Sequence, residues 1–243
     1  MGLEETNYMR HYMVKLTLFL VGSFLSITSV AAQEVNQFDA NGERHGLWEK
    51  KYEATKQLRY EGTFEHGKEI GTFKFYCKSC KKVPIAVKEF KANSAISDVK
   101  YFTPAGNLVS EGKMDGKNRI GEWIYYHKKS SMVMTSEFYK NGKLDGLQKT
   151  FYLNNAVTEE TTYLDGLREG PNNYYSPDGV ILKKLQYKKD LLVGSAFYYD
   201  ASGNVSIVGN YKNGKKHGVW KYYKNGKVTL EEIYPKPYKK AKN

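Results

Sequence analysis

The chain has 243 residues, 26% of them charged, and a net charge of +12, a composition that excludes a multi-spanning membrane protein. Aromatics make up 14%, with 21 Tyr, which excludes a disordered chain; 22 Gly against 6 Pro indicate tight turns more than linkers.

The first element in chain order is a targeting segment. Lys15 precedes an apolar core, Leu16 to Ile27, and small residues follow at Val30, Ala31 and Ala32. This charge, apolar stretch and small-residue pattern predicts a secretory signal peptide over residues 1–32, cleaved after Ala32. The core is short for a membrane span, which needs about 20 apolar residues. An uncleaved anchor is the rival reading. Residues 1–12 read as an upstream extension if translation starts at Met13. Export would make the protein periplasmic, secreted or displayed at the cell surface.

From residue 38 to 233 the chain repeats itself. Taking Gly218 of Gly-Val-Trp-Lys-Tyr-Tyr as an anchor, the same position recurs at Gly46, Gly71, Gly121, Gly146, Gly170 and Gly194. Ser97 fills the gap, because Ser97–Gly106 parallels Gly170–Gly179. The steps are 25, 26, 24, 25, 24, 24 and 24 residues, giving eight units. Four residues before the anchor stands a turn residue: Gly42, Gly67, Asn93, Gly142, Gly166 or Gly214. Asn-Gly and Asp-Gly pairs dominate there, the strongest short hairpin signal. The fourth unit shifts to Asp115-Gly116, and the seventh has Lys189-Asp190 instead. After the anchor a strand is predicted. Positions two and four share one face and carry Trp48, Phe73, Val99, Trp123 and Trp220, then Phe75, Tyr101, Tyr125, Tyr174, Tyr198 and Tyr222. Position five faces the other way and is aromatic as well: Tyr76, Phe102, Tyr126, Phe151, Tyr175, Tyr199 and Tyr223. A second turn follows, as at Pro177-Asp-Gly179, and then a second strand. No helical period appears outside the leader. The expectation is an all-β fold: an elongated antiparallel sheet of repeated β-hairpins, about 16 strands in a coiled single-layer ribbon. The chain ends in a basic tail, 234–243, with four Lys and no acid.

The unit as it stands in Tyr211–Gly226 resembles the variant MORN repeat, found in bacterial proteins of the YwqK-type antitoxin-like family. The resemblance covers roughly residues 38–233, well in the last copy and in Tyr139–Phe151, weakly in Phe90–Gly106. It implies an all-β scaffold that binds proteins or membranes and catalyses nothing. An exported chain of this kind would act as an immunity factor against an extracytoplasmic toxin, or in envelope assembly.

Cys77 and Cys80 are the only cysteines and fall where other units place the second turn. In an oxidising compartment a disulfide clipping that turn is the default. Metal or intermolecular pairing is an alternative, although zinc would need two more ligands. Redox activity is another, although it needs a helix N-terminus. The five His read as scattered, with His45 and His217 explained by their place before an anchor and His66 by a turn. No metal site, cofactor or catalytic residue is expected, and no enzyme motif is present. The binding candidates are Tyr126, Tyr175, Tyr199 and Tyr223, exposed among Lys on the far face. Packing between units is the competing account of the same ladder. The expected partner is a protein; an anionic lipid or polysaccharide contacted through Lys and Tyr is the alternative, and nucleic acid is not expected. The three Trp, in units one, four and eight, would mark the register of a selective partner.

Overall fold

The computed structural model describes residues 34–80, 82–91 and 94–236. The leader through residue 32, Asn93 and tail residues 237–243 lie outside the described residues. The chain divides into a unit Met1–Glu34 and a unit Val35–Asn243, and every described strand belongs to the second.

Strands β1 (Gln37–Phe38) and β2 (Arg44–Lys51) flank a loop; β3 (Leu58–Glu65), β4 (Lys68–Phe75), β5 (Ala86–Phe90) and β6 (Ile96–Phe102) follow. Next come β7 (Leu108–Asp115), β8 (Asn118–Tyr126), β9 (Val133–Lys140), β10 (Lys143–Leu144) and β11 (Gly146–Phe151). The remainder are β12 (Val157–Leu164), β13 (Leu167–Tyr175), β14 (Ile181–Lys188), β15 (Leu191–Leu192), β16 (Gly194–Tyr199), β17 (Val205–Lys212), β18 (Lys215–Lys224) and β19 (Lys227–Tyr234). All nineteen form one sheet in which every pairing is antiparallel, between strands adjacent along the chain or separated by one two-residue strand. Both β10 and β11 pair with β9, and both β15 and β16 pair with β14. Joining those two interrupted strands and setting aside the two-residue β1 reduces nineteen strands to sixteen, two per unit.

The hairpin turns follow from residues that tolerate positive φ. Asn141-Gly142, Asp165-Gly166 and Asn213-Gly214 have positive φ at both central positions, as a type I′ turn requires. Lys189-Asp190 adopts the same conformation, with φ of 48° and 66°, although its sequence departs from the pattern. Neighbouring groups hold it there: the Lys189 N–H donates to Glu169 Oε2 at 2.8 Å, and Asp190 Oδ1 accepts from the Arg168 N–H and Nε at 3.0 Å each.

Two expectations are corrected. Gly42 does not close a two-residue hairpin. It ends a four-residue loop, Asp39–Gly42, in which the Gly42 N–H donates to the Asp39 carbonyl and the Asp39 N–H to the Glu43 carbonyl. That loop has the hydrogen bonding of the second turn, as at Asp200–Gly203. The anchor glycine starts a strand only in β11 and β16. In β4, β8, β13 and β18 the anchor glycine lies three residues inside, where the register breaks, as between Thr63↔Ile70 and Glu61↔Lys74. A second bulge falls between positions four and five, for example Tyr125↔Thr135 and then Tyr126↔Val133.

The core of this sheet is one face. Position two is its buried column: Phe73, Val99, Trp123, Asn172, Ala196 and Trp220 are at most 1% exposed. Each large ring lies on a small residue of the neighbouring strand. A carbon added to Gly62 would sit 2.4 Å from Phe73, one on Gly112 2.5 Å from Trp123, and one on Gly209 2.2 Å from Trp220. Ala86, Ser110, Thr135 and Thr161 are buried on the same face. The aromatics before each hairpin complete the layer edge to face: Phe73 meets Phe64 at 5.2 Å and Phe90 at 5.4 Å, and Trp220 meets Tyr211 at 5.1 Å. The Trp123 and Trp220 indoles donate to the carbonyls of Lys113 and Asn210. Trp123 and Trp220 are therefore packing residues, while Trp48 is half-buried.

Candidate functional site

Strand alternation puts positions one, three and five on the opposite, outer face. There the position-three lysines meet glutamates of adjacent strands: Lys74–Glu61 at 3.4 Å, Lys100–Glu111 at 3.2 Å, Lys149–Glu160 at 3.0 Å and Lys221–Glu231 at 3.2 Å. Three of these glutamates also hold a position-five tyrosine. Tyr76 donates to Glu61 at 2.7 Å, Tyr175 to Glu160 at 2.8 Å, and Tyr126 to Glu111. Burial, and then the neighbouring carboxylate, pushes the Tyr76 and Tyr126 hydroxyls up to about 12. Glu111 and Glu160 are held below their ordinary values, first by the tyrosine hydrogen bond and then by lysine.

The four candidate tyrosines thus fall into two kinds. Tyr126 and Tyr175 are half-buried with their hydroxyls taken by glutamate. Tyr199 and Tyr223 are half-buried too, but the residues in the glutamate's place are Lys184 and Val208. The Lys184 ammonium stands 6.0 Å from the Tyr199 ring. The same face exposes large apolar side chains: Phe138 (41%), Leu147 (37%), Val219 (43%) and Ile233 (67%). Pairing of Phe138 with Glu122, and of Ile233 with Val219, sets them on it.

The inner face carries a cation row that the residue pattern left unread. Arg119 lies 4.5 Å over Trp123 and donates to the hydroxyls of Tyr125 at 2.6 Å and Tyr139 at 3.2 Å. Lys216 lies 4.1 Å over Trp220, and Arg44 5.0 Å over Trp48. All three stand two residues before an anchor glycine, in the units that contain Trp. That coincidence was the available signal. These aromatic boxes are filled by the chain's own cations.

Cys77 and Cys80 are joined in a disulfide, with Cα atoms 5.0 Å apart, in the loop between β4 and β5. Tyr52 of the preceding second turn donates to the Tyr76 carbonyl beside it at 2.9 Å.

At the N-terminal end of the sheet the fold brings together Asp39 with His45 and His66, two residues that the repeat had placed in separate roles. One donor atom from each lies within 4.8 Å of the other two. His66 Nδ1 is 2.7 Å from Asp39 Oδ2, and the imidazoles of His45 and His66 have centroids 5.0 Å apart. The hydrogen bond to His66, and then the Glu43 amide, holds the Asp39 carboxyl below its ordinary value; the same bond raises His66. No spacing signal could have found this trio, because Asp39 and His66 are 27 residues apart.

Three segments, 144–165, 168–189 and 192–213, match the family model described as MORN repeat variant. Each begins two residues before an anchor glycine and runs through one strand, the second turn, the next strand and into the type I′ hairpin. The chain therefore contains a MORN-variant repeat scaffold, and the same bulges and turns recur on both sides of the matched stretch. No curated protein matches the chain.

Proposed function

We propose that this chain is an exported, non-catalytic scaffold that binds a protein partner across the outer face of its sheet. One observation carries this reading. The inner face stacks its own aromatics and cations on one another, while the outer face presents half-buried tyrosines and exposed Phe138, Leu147, Val219 and Ile233 among ion-paired lysines. Aromatic and apolar anchors within a polar surround are the composition of protein-binding patches. Export rests on the leader pattern in residues 13–32. The role that suits an exported scaffold of this repeat class is immunity against an extracytoplasmic toxin, as in YwqK-type antitoxin-like proteins of bacteria, or envelope assembly.

The test is capture from a periplasmic or secreted fraction by the wild-type chain and by Phe138→Ser/Val219→Ser. Both positions are exposed, so the variant should fold and lose the partner. Equal capture by the folded variant would refute the outer-face reading. A second reading is favoured by the net charge of +12: attachment to anionic lipid or polysaccharide through Lys and Tyr. Envelope association that persists in high salt counts against it, because salt screens exposed charges.

A further inference from the structure

We propose that Asp39, His45 and His66 form a binding site for a divalent transition-metal cation of the zinc, nickel or copper type, built where the first two units meet.

The ligand set is held by backbone geometry more than by side-chain chance. Asp39 Oδ1 accepts the amides of Asn41 and Glu43 at 2.9 Å each, so the carboxylate is fixed with Oδ2 turned to His66 Nδ1, 2.7 Å away. The Asp39 side chain is only 10% exposed, although it sits in a surface loop. His45 lies in β2 opposite Gln37 of β1, next to that loop. His66 is the first central residue of the β3–β4 hairpin, at φ 46°. The hairpin tip is tied back onto β2 by the Gly67 amide, which donates to the Arg44 carbonyl at 2.9 Å. Arg44 and His45 are adjacent, so the tie brings the two imidazoles together. The result is two nitrogen donors and one carboxylate oxygen, each within 4.8 Å of the others.

Tetrahedral zinc, with bonds of about 2.0–2.1 Å, needs donors roughly 3.3 Å apart. His66 Nδ1 and Asp39 Oδ2 already stand 2.7 Å apart, and His66, 62% exposed, has space on its solvent side to adjust around a cation. Imidazole and carboxylate together suit zinc, nickel and copper; calcium and magnesium take oxygen ligands throughout. Glu43 stands at the rim: a carbon on Gly67 would lie 3.7 Å from its Oε1, which places a second carboxylate beside the open coordination positions. Among the described residues no second cluster of this kind occurs. His217 repeats the place of His45 in the last unit, but Tyr211 stands seven residues before that unit's anchor, where the first unit has Asp39.

Isothermal titration of the untagged full-length chain with Zn²⁺, after chelator treatment, tests the site, with Ni²⁺ as a second probe. One cation per chain is expected. His45→Ala, His66→Ala and Asp39→Asn should each weaken it by more than the 10–100-fold that loss of an outer-shell partner costs. His217→Ala should bind as the wild type does. Hydrogen exchange of β2–β4 reports whether each variant remains folded, and both imidazoles are exposed, so His45→Ala and His66→Ala keep the test decisive. Absence of saturable binding, or affinity unchanged in His45→Ala/His66→Ala, would overturn the assignment.

Discussion

Gly112→Ala isolates the close approach of ring and glycine that closes the inner face. Gly112 does not occupy the left-handed region, so alanine suits its backbone, and the penalty comes from contact alone. The new carbon would lie 2.5 Å from Trp123 Cδ2 and 2.6 Å from Cε2 and Cγ. Carbon atoms normally rest about 3.5–4.0 Å apart, so the indole or the strand must retreat by about 1 Å. The indole has little room, because it is fully buried, with Arg119 4.5 Å above it and its N–H bonded to the Lys113 carbonyl at 3.0 Å. Overpacking costs about 1–3 kcal/mol, and a strained indole hydrogen bond adds about 1. The stiffer unfolded chain returns up to about 1 kcal/mol, leaving a net loss of about 1–4. Trp123→Ala alone should cost about 3–5 kcal/mol. Once Trp123→Ala has removed the ring, the contact penalty of Gly112→Ala should vanish, a coupling of about 2–4 kcal/mol. A repeat array need not unfold as one unit, so native-state hydrogen exchange of the β7 and β8 amides is the suitable assay. If Gly112→Ala destabilises β7–β8 equally with and without Trp123, the ring-on-glycine account is wrong.

Other consequences can be measured separately. Tyr76, Tyr126 and Tyr174 have hydroxyls pushed up to about 12, so each should ionise late in an ultraviolet titration. Their folded values exceed the unfolded value of 10, so this stabilisation is complete below pH 10 and is lost as pH rises through about 12. The slope should be about 1.4 kcal/mol per pH unit for each tyrosine, and Glu111→Gln should bring the Tyr126 transition down. Lys189→Asn should stabilise the β14–β15 hairpin by roughly 1 kcal/mol, because asparagine tolerates φ near 48° and keeps the amide bond to Glu169; a denaturation midpoint unchanged or lowered would contradict this. The Cys77–Cys80 bridge spans a separation of only three residues, so reduction should lower stability by no more than about 2 kcal/mol and leave the strands intact by circular dichroism.

Much of this molecule was legible along the chain. Turn chemistry is local: Asn141-Gly142 and Asp165-Gly166 state their conformation through φ, whatever surrounds them. The period of 24–26 residues and strand alternation together assigned Trp123 and Tyr125 to one face and Tyr126 to the other. What escaped depends on which residues face each other across strands. Two bulges per unit shift the register, so partners such as Gly112 and Trp123, or Glu111 and Tyr126, cannot be counted out from spacing. For that reason the tyrosine ladder read as a free surface, while the structure ties Tyr126 and Tyr175 to glutamates fifteen residues upstream. For the same reason His45 and His66 read as an anchor neighbour and a turn residue, and their meeting with Asp39 went unseen. The amino-acid sequence by itself determined the repeat, the hairpins and the two faces, because each is encoded within a few residues. Only the tertiary structure decided the ring-on-glycine core, the cation row over the tryptophans and the His–Asp cluster, because each joins groups that hydrogen-bond register, and not chain proximity, sets side by side.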